Sequence, residues 1–495
     1  VQRAESGVER SLPLSSRLRE AASALTDLDP VRAEAWLRDA SDVEPSVAYL
    51  RARIALAKGD CELAAKLMST QSNVPPQELE TLRVAEGCSR AMAGAEVVQE
   101  ESKGVWIRLQ NSRDRVLVPL LADVADRAAK SIERRLRTRF PRPIRIELVS
   151  DLPSLSYLTG LPLEAAETTG TIAIARWGKV TVLSPRATRD GFPWQDTLAH
   201  ELAHLGVSRK SGDEAPLWLQ EGIAKRLESR WRAPLPQDDA RAARRQVKMA
   251  LRDGRTVGID RLGPSIAMLP SPELAATAYA EVEDFLAYFV EQSGERALEL
   301  LLVELRSLGS SNTDQALRGV SGYSLAEWMR KWQHVVASDT VSDAESSPEA
   351  HVDYRNLRLG MLLGERRHWA ASIAQLERAS ASGPRDPEAN HRVALAHLIL
   401  GHPHVAEATL ALADERRFSD GTWLSIQGRV EELLGHRNAA ESAFERSLSF
   451  APTLERVACR GAASSDREDS AGSSILPTIE PWRSLCLDAR GTSVP

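Results

Sequence analysis

The chain has 495 residues, 43% hydrophobic and 27% charged, the balance of a soluble globular protein with room for roughly two to four domains. Its formal net charge of −6 gives no general attraction for nucleic acid, and no basic stripe with interleaved aromatics is present; the arginine-rich stretches 134–139 and 241–245 read as solvated helix faces. No apolar run approaches the roughly eighteen residues that a membrane-spanning helix requires.

Residues 1–100 read as helical and tetratricopeptide-like. Between Pro45 and Pro76, Gly59, Ala64 and Met68 occupy the places of one helical-hairpin repeat, with vaguer helices on either side. One such unit cannot bury its own apolar face, so neighbours or the following domain must cover it. The four cysteines, Cys61, Cys88, Cys459 and Cys486, fall as two local pairs, none with CxxC spacing. Disulfides Cys61–Cys88 and Cys459–Cys486 would suit an oxidising compartment, and four buried reduced thiols are the alternative. Val1 stands where an initiator methionine would, as in a chain that has lost a secretory leader or has been trimmed. An extracytoplasmic setting (periplasmic, secreted or envelope-associated) is expected, with the cytoplasm left open.

Residues 101–337 form the central domain in this reading. A helix is expected near 116–137. Ile144-Arg-Ile-Glu-Leu-Val149 and Lys179-Val-Thr-Val-Leu183 alternate like half-buried strands, predicting a small mixed sheet. The stretch that carries chemistry runs from Asp196 to Gly222: DTLAHELAHLGVSRKSGDEAPLWLQEG. Asp196 and Thr197 open its first helix as caps, and Asp196 is also placed to orient a metal-bound imidazole.

In that stretch His200-Glu201-x-x-His204 precedes Glu221, which lies within Trp218-Leu219-Gln220-Glu221-Gly222. A helix turns once per 3.6 residues, so the two histidines share a face and can reach one ion. Glu201 projects about 100° away, where it can lean over a metal-bound water rather than join the ligands. Zinc takes nitrogen and carboxylate ligands in a tetrahedral shell, with three protein ligands and a water at catalytic sites. Glu221 becomes the third ligand if a second helix, opening near Pro216, packs across the first. A metzincin site would need Gly at 207 and His at 210, where Val207 and Lys210 stand. Asp213 and Glu214 sit in a connector. The competing use of Glu221 is a surface pair with Lys225 at helical spacing.

Ser338 to Glu349 is rich in Ser, Asp and Glu, and residues 338–351 are expected to be a linker. Residues 352–455 then repeat every 34 residues. Leu376, Leu410 and Phe444 are in step, as are Ala379, Ala413 and Ser447, Gly401 with Gly435, and Ala406 with Ala440, while Pro384 and Pro452 close units. This period with small residues at fixed places is the tetratricopeptide signature, a helix pair that stacks on its neighbours. Residues 456–495 read as an irregular tail.

With these pieces in order, the chain resembles the gluzincin-type "peptidase MA-like" domains of bacterial proteins that carry tetratricopeptide repeats. The resemblance covers roughly residues 100–335. It includes the helix near 116–137, Arg142-Pro143-Ile144-Arg145-Ile146-Glu147-Leu148, Thr159-Gly160-Leu161-Pro162, a strand from Thr169 to Ala173, the strand 178–184 and the metal helices. It implies an α+β zincin-like metallopeptidase domain flanked by all-α tetratricopeptide repeats. One zinc ion would be bound by His200, His204 and Glu221, with Glu201 as general base. Strand 178–184 would form the rim of the cleft, its free edge pairing with an extended substrate. Tyr279, standing before a long amphipathic helix, matches the position of the family's tyrosine and would donate to the oxyanion; core packing is its alternative use, and Tyr288 is a weaker candidate. The expected activity is hydrolysis of a protein or peptide, with a protein partner recruited by the repeats. The alternative is an inactive tetratricopeptide scaffold that retains the fold.

Overall fold

Helices begin and end where the local chemistry directs, and three of the first five show it. The computed structural model describes residues 12–188, 192–232, 240–339, 354–382, 387–412, 421–450 and 452. Helices α1 (Leu14–Thr26), α2 (Pro30–Leu37), α3 (Pro45–Lys58), α4 (Cys61–Ser69) and α5 (Leu79–Ala91) come first. Proline opens α2 and α3 at a position whose amide needs no partner, and the Asp29 and Asp60 carboxylates accept from Arg32 and Leu63 amides to cap α2 and α4. Gly59 ends α3 at φ 84°, a left-handed turn that costs glycine little.

A five-stranded mixed sheet follows: β1 (Glu96–Glu100), β2 (Val105–Leu109), β3 (Ile144–Val149), β4 (Ala173–Arg176) and β5 (Lys179–Leu183), in spatial order β1-β2-β3-β5-β4. The β2–β3 and β3–β5 pairs are parallel; β1–β2 and β4–β5 are antiparallel. Helix α6 (Val118–Leu136) connects β2 to β3, and α7 (Leu152–Thr159) and α8 (Leu163–Thr169) lie between β3 and β4. The β4–β5 turn is Trp177-Gly178 with both residues at positive φ, the backbone of a tight two-residue hairpin.

Three sequence expectations change here. The β1–β2 hairpin was not foreseen, and β1 lies upstream of residue 101, so the sheet starts before the expected domain boundary. The strand expected from Thr169 to Ala173 begins at Ala173 instead. Leu163-Glu-Ala-Ala-Glu-Thr-Thr169 is a helix-forming run stopped by Gly170 at φ 70°. Finally, β5 is interior and β4 is the edge of the sheet.

Alternation gives the sheet two unlike faces. Ile107, Ile146, Leu148, Val180 and Val182 are buried on one, in register across β2, β3 and β5. Helix α6 packs against β2 and meets the later helices at Gly206, where a Cβ would stand 2.7 Å from Ile132 Cγ2. Arg108, Glu147, Lys179 and Thr181 are buried on the other face. There the amino-terminal helices form the cover, with Trp106 so close to Gly59 that a Cβ would meet its Cη2 at 2.5 Å.

Helices α9 (Trp194–Ser211), α10 (Leu217–Leu227), α11 (Ala240–Arg252), α12 (Pro272–Ser293), α13 (Arg296–Leu308), α14 (Thr313–Ser321) and α15 (Leu325–Ser338) follow. Helix α12 packs along α10 and α11, with Trp218 edge-on to Phe285 and Gly222 against Leu286. Asp284, buried in α12, accepts from Arg244 Nε at 2.7 and 2.8 Å and from Trp332 Nε1 at 2.7 Å. Arg244 therefore faces a buried carboxylate and not the solvent expected of its cluster.

The chain divides into two units, one comprising residues up to 184 with 195–338, the other 185–194 with residues from 339 onward. The amino-terminal helices thus belong to the same unit as the sheet. In the second unit, α16 (Tyr354–Glu365), α17 (Trp369–Ser382), α18 (Pro387–Ile399), α19 (Pro403–Leu412), α20 (Gly421–Leu433) and α21 (Arg437–Phe450) pack as successive pairs. Helices α17, α19 and α21 each start 34 residues after the last. Gly360 lies against Leu376, and Gly428 against Phe444, so a missing side chain on one helix receives a large one from its partner. Ala394 and Leu410 share a cluster at the equivalent places in the middle pair. Pro384, Ala413, the linker from residue 340 and the tail with Cys459 and Cys486 lie outside the described residues. Among the described residues no helix is long and apolar enough to cross a membrane.

Candidate metal centre

Helix α9 is anchored by Leu198, Ala199, Leu202 and Ala203, all fully buried, which fixes the opposite side where the histidines stand. His200 Nε2 and His204 Nε2 face each other at 3.2 Å. After α9 the chain reverses through Gly212 and Asp213, both at φ 65°, and Pro216 leads into α10. This brings Glu221 Oε2 to 3.4 Å from His200 Nε2 and 3.5 Å from His204 Nε2. Glu221 is buried, and that oxygen has no hydrogen bond. Lys225, the partner in the competing surface-pair use, is bonded elsewhere, to Glu228 at 2.6 Å.

Three donor atoms therefore form a nearly equilateral triangle with edges of 3.2, 3.4 and 3.5 Å. Tetrahedral ligands about 2.0–2.1 Å from zinc are separated by about 3.3–3.4 Å. The triangle suits one small tetrahedral cation with its fourth position open.

The surrounding charges explain why a cation fits. Burial pushes the His200 imidazolium pKa down, but Glu221 and Glu228 outweigh this and raise it to about 10. Burial pushes the Glu221 carboxyl up, and His204 and His200 more than reverse it, holding it well below the usual carboxylate range. Without metal, a proton on His200 supplies the positive charge that these carboxylates demand. Glu228 faces His200 Nδ1 at 3.0 Å. A carboxylate there keeps the proton on Nδ1 and leaves the Nε2 lone pair for a metal.

Glu201, nearly buried, accepts a 2.6 Å hydrogen bond from the Ala175 amide. Ala175 lies in β4, opposite Val180 of the interior strand β5. The edge strand itself therefore positions this carboxylate. His200, Glu201 and His204 offer donor atoms within 4.8 Å of one another. Tyr279 is partly buried, its ring centroid 6.3 Å from that of His200. It sits inside α12, not ahead of it. Burial, then the charges of Glu221, Glu201 and Glu228, push its phenol well above the usual range, so it remains a hydrogen-bond donor. Tyr288 is buried against Trp328, at 5.9 Å between ring centroids.

Two residues of the site escaped the sequence reading. Glu228 takes the orienting part considered for Asp196, which instead lies in the first turn of α9 and accepts from Trp231 Nε1 at 3.1 Å and Arg232 Nε at 2.9 Å. The helix begins earlier than expected, so Asp196 is not its cap. A signal for Glu228 existed: it follows Glu221 by about two helical turns, on the same face. Ala175 contributes through its main chain, which no side-chain pattern announces. Neither a protein-family model nor a curated protein matches this sequence.

Proposed function

We propose that the chain is a zinc-dependent peptidase of gluzincin type, its central domain zincin-like and its helix pairs tetratricopeptide repeats. The observation that carries this reading is the triangle of His200, His204 and Glu221, with a second carboxylate, Glu201, beside it. Zinc bound there would polarise a peptide carbonyl and make its bound water acidic.

The chain's own groups do the rest. Glu201, aimed by the Ala175 amide, takes a proton from the attacking water and returns it to the leaving amine. Tyr279 donates to the oxygen on which negative charge develops. Glu228 holds the His200 ring, and Lys225 holds Glu228. The outer edge of β4, apart from the Ala175 amide that holds Glu201, offers main-chain groups to an extended substrate, a mode of binding with little sequence preference. The repeats recruit a protein partner or substrate. An extracytoplasmic location belongs to the same proposal.

The test is zinc content together with cleavage of casein or an unstructured peptide by wild type and Glu201→Gln. The variant should keep its zinc and lose turnover by about 10²–10⁴-fold, the usual worth of a general base. Undiminished turnover would remove Glu201 from this role.

A further inference from the structure

A second cluster of buried charge lies on the other face of the sheet. Arg108, Glu147 and Lys179 are all buried there. Lys179 Nζ is 2.8 Å from Glu147 Oε2, and Arg108 Nε is 3.6 Å from Glu147 Oε1, too far for a hydrogen bond. Arg108 Nε and Glu147 Oε1 have no other hydrogen-bond partner. Arg145, next to Lys179 in register and partly buried, adds a further cation whose Nε is also unpartnered. Burial pushes Lys179 down and Glu147 pulls it back, while Arg108 and Arg145 push it further down. Glu147 thus faces two cations, Arg108 and Lys179, while the nearby Arg145 has Asp29 as its opposing charge.

Against this excess stand two sulfurs. Cys61, in the first turn of α4, and Cys88, on α5, are buried and bonded to each other, with Cα atoms 5.6 Å apart. Arg108 Nη2 lies 3.0 Å from Cys61 Sγ and 3.2 Å from Cys88 Sγ, while its Nη1 donates to the Gly59 carbonyl. A disulfide sulfur is a poor acceptor and carries no charge to offset the cations; a thiolate is a good acceptor and does. The same cations make this a poor metal site, although Glu147 lies near both sulfurs. Arg108 and Lys179 occupy the lone pairs that a metal would need and repel its charge.

We propose that Cys61 and Cys88 form a redox-active pair whose reduced state is a thiol and a thiolate held by Arg108. The reductant is a small thiol such as glutathione. Its thiolate attacks one sulfur, the S–S bond breaks, and the other sulfur leaves with the electron pair beside Arg108. A second glutathione thiolate then attacks the mixed disulfide, releasing oxidised glutathione and the second cysteine sulfur, which takes up a proton. Two electrons pass to the protein. A disulfide whose reduced form is stabilised in this way is more readily reduced than a structural one.

The test uses the full chain with Cys459→Ser and Cys486→Ser, equilibrated without denaturant in graded mixtures of reduced and oxidised glutathione, then trapped with a maleimide. The pair should reduce within this series while the protein stays folded. The alkylation rate of the reduced protein should inflect at a pH at least about one unit below the ordinary thiol range near 8.5. Arg108→Leu should need a mixture about tenfold or more richer in reduced glutathione for oxidation to be half reversed, with Arg108→Lys between it and wild type. Reduction only on unfolding would overturn the proposal, as would an inflection at or above the ordinary range. Those two readings need no Arg108 variant, so a misfolded Arg108→Leu would not remove the test. Stoichiometric zinc bound by the reduced pair, and lost in Cys88→Ser, would equally overturn it.

Discussion

The same unit buries charge in two places, and the two places want opposite ions. At the candidate metal centre, lone pairs converge: two imidazole nitrogens and a carboxylate oxygen meet within 3.5 Å, with Glu228 behind them. On the charged face of the sheet, N–H groups converge: Arg108 points at two sulfurs, and Glu147 stands between Arg108 and Lys179. A buried charge is costly unless it is paired, so each cluster states the sign of what completes it. The first is completed by a proton or a cation, the second by an anion such as a thiolate. Burial alone would not separate these cases; the direction of donors and acceptors does.

Exchanging one carboxylate in each cluster should break the comparison most sharply. Glu221→Ala should abolish stoichiometric zinc binding and peptide cleavage yet leave a folded protein, because the removed charge had served the ion. Glu147→Ala should leave zinc binding intact but lower stability by about 3–5 kcal/mol, the cost of stranding buried cations. Zinc titration and urea unfolding on both variants decide this. Loss of zinc from Glu147→Ala, with the fold intact, would show that the clusters are not independent.

A smaller effect sharpens the part given to Glu228. Glu228→Gln keeps the shape but loses the charge behind His200, and zinc affinity should fall by about 10–100-fold. Competition with a coloured chelator measures this, and an unchanged affinity would leave Glu228 as a mere partner of Lys225.

The smallest effect concerns protons. The folded, metal-free chain keeps its His200 proton up to about pH 10, above the ordinary histidine range. Its stabilising pairing with Glu221 and Glu228 is therefore complete below about pH 6.5 and lost as pH rises through 10. At pH 7–9 zinc must displace that proton, so calorimetry in buffers of different ionisation enthalpy should show about one proton released per ion. Apparent affinity should rise about tenfold per pH unit. No release would mean that His200 is neutral before metal arrives.

Much of the architecture could be read from residue patterns, and the failures have physical causes. The HELAH run marks a helix with two histidines on one side, and the 34-residue spacing marks helix pairs, because each rests on side-chain periodicity. The hairpin of β1 and β2 was harder to see. Val105-Trp-Ile-Arg-Leu109 alternates, but β1 is a short, half-exposed Glu-Val-Val-Gln-Glu. Its order comes from pairing with β2 more than from burial. The charged face was hidden for the opposite reason: Arg108, Glu147 and Lys179 occupy the places where a half-buried strand puts solvent-facing residues, and only the amino-terminal helices turn them inward. Ala175 shapes the site with a backbone amide, which every residue but proline possesses.

The most direct test is X-ray absorption at the zinc edge of purified protein, paired with metal analysis. One zinc per chain is predicted, with two imidazole nitrogens at about 2.0–2.1 Å and carboxylate and water oxygens at about 2.0–2.2 Å. In Glu221→Ala the zinc-edge signal should be lost together with the bound zinc. A protein that takes up no zinc after incubation and dialysis, or one whose zinc shell is the same without Glu221, would contradict the account.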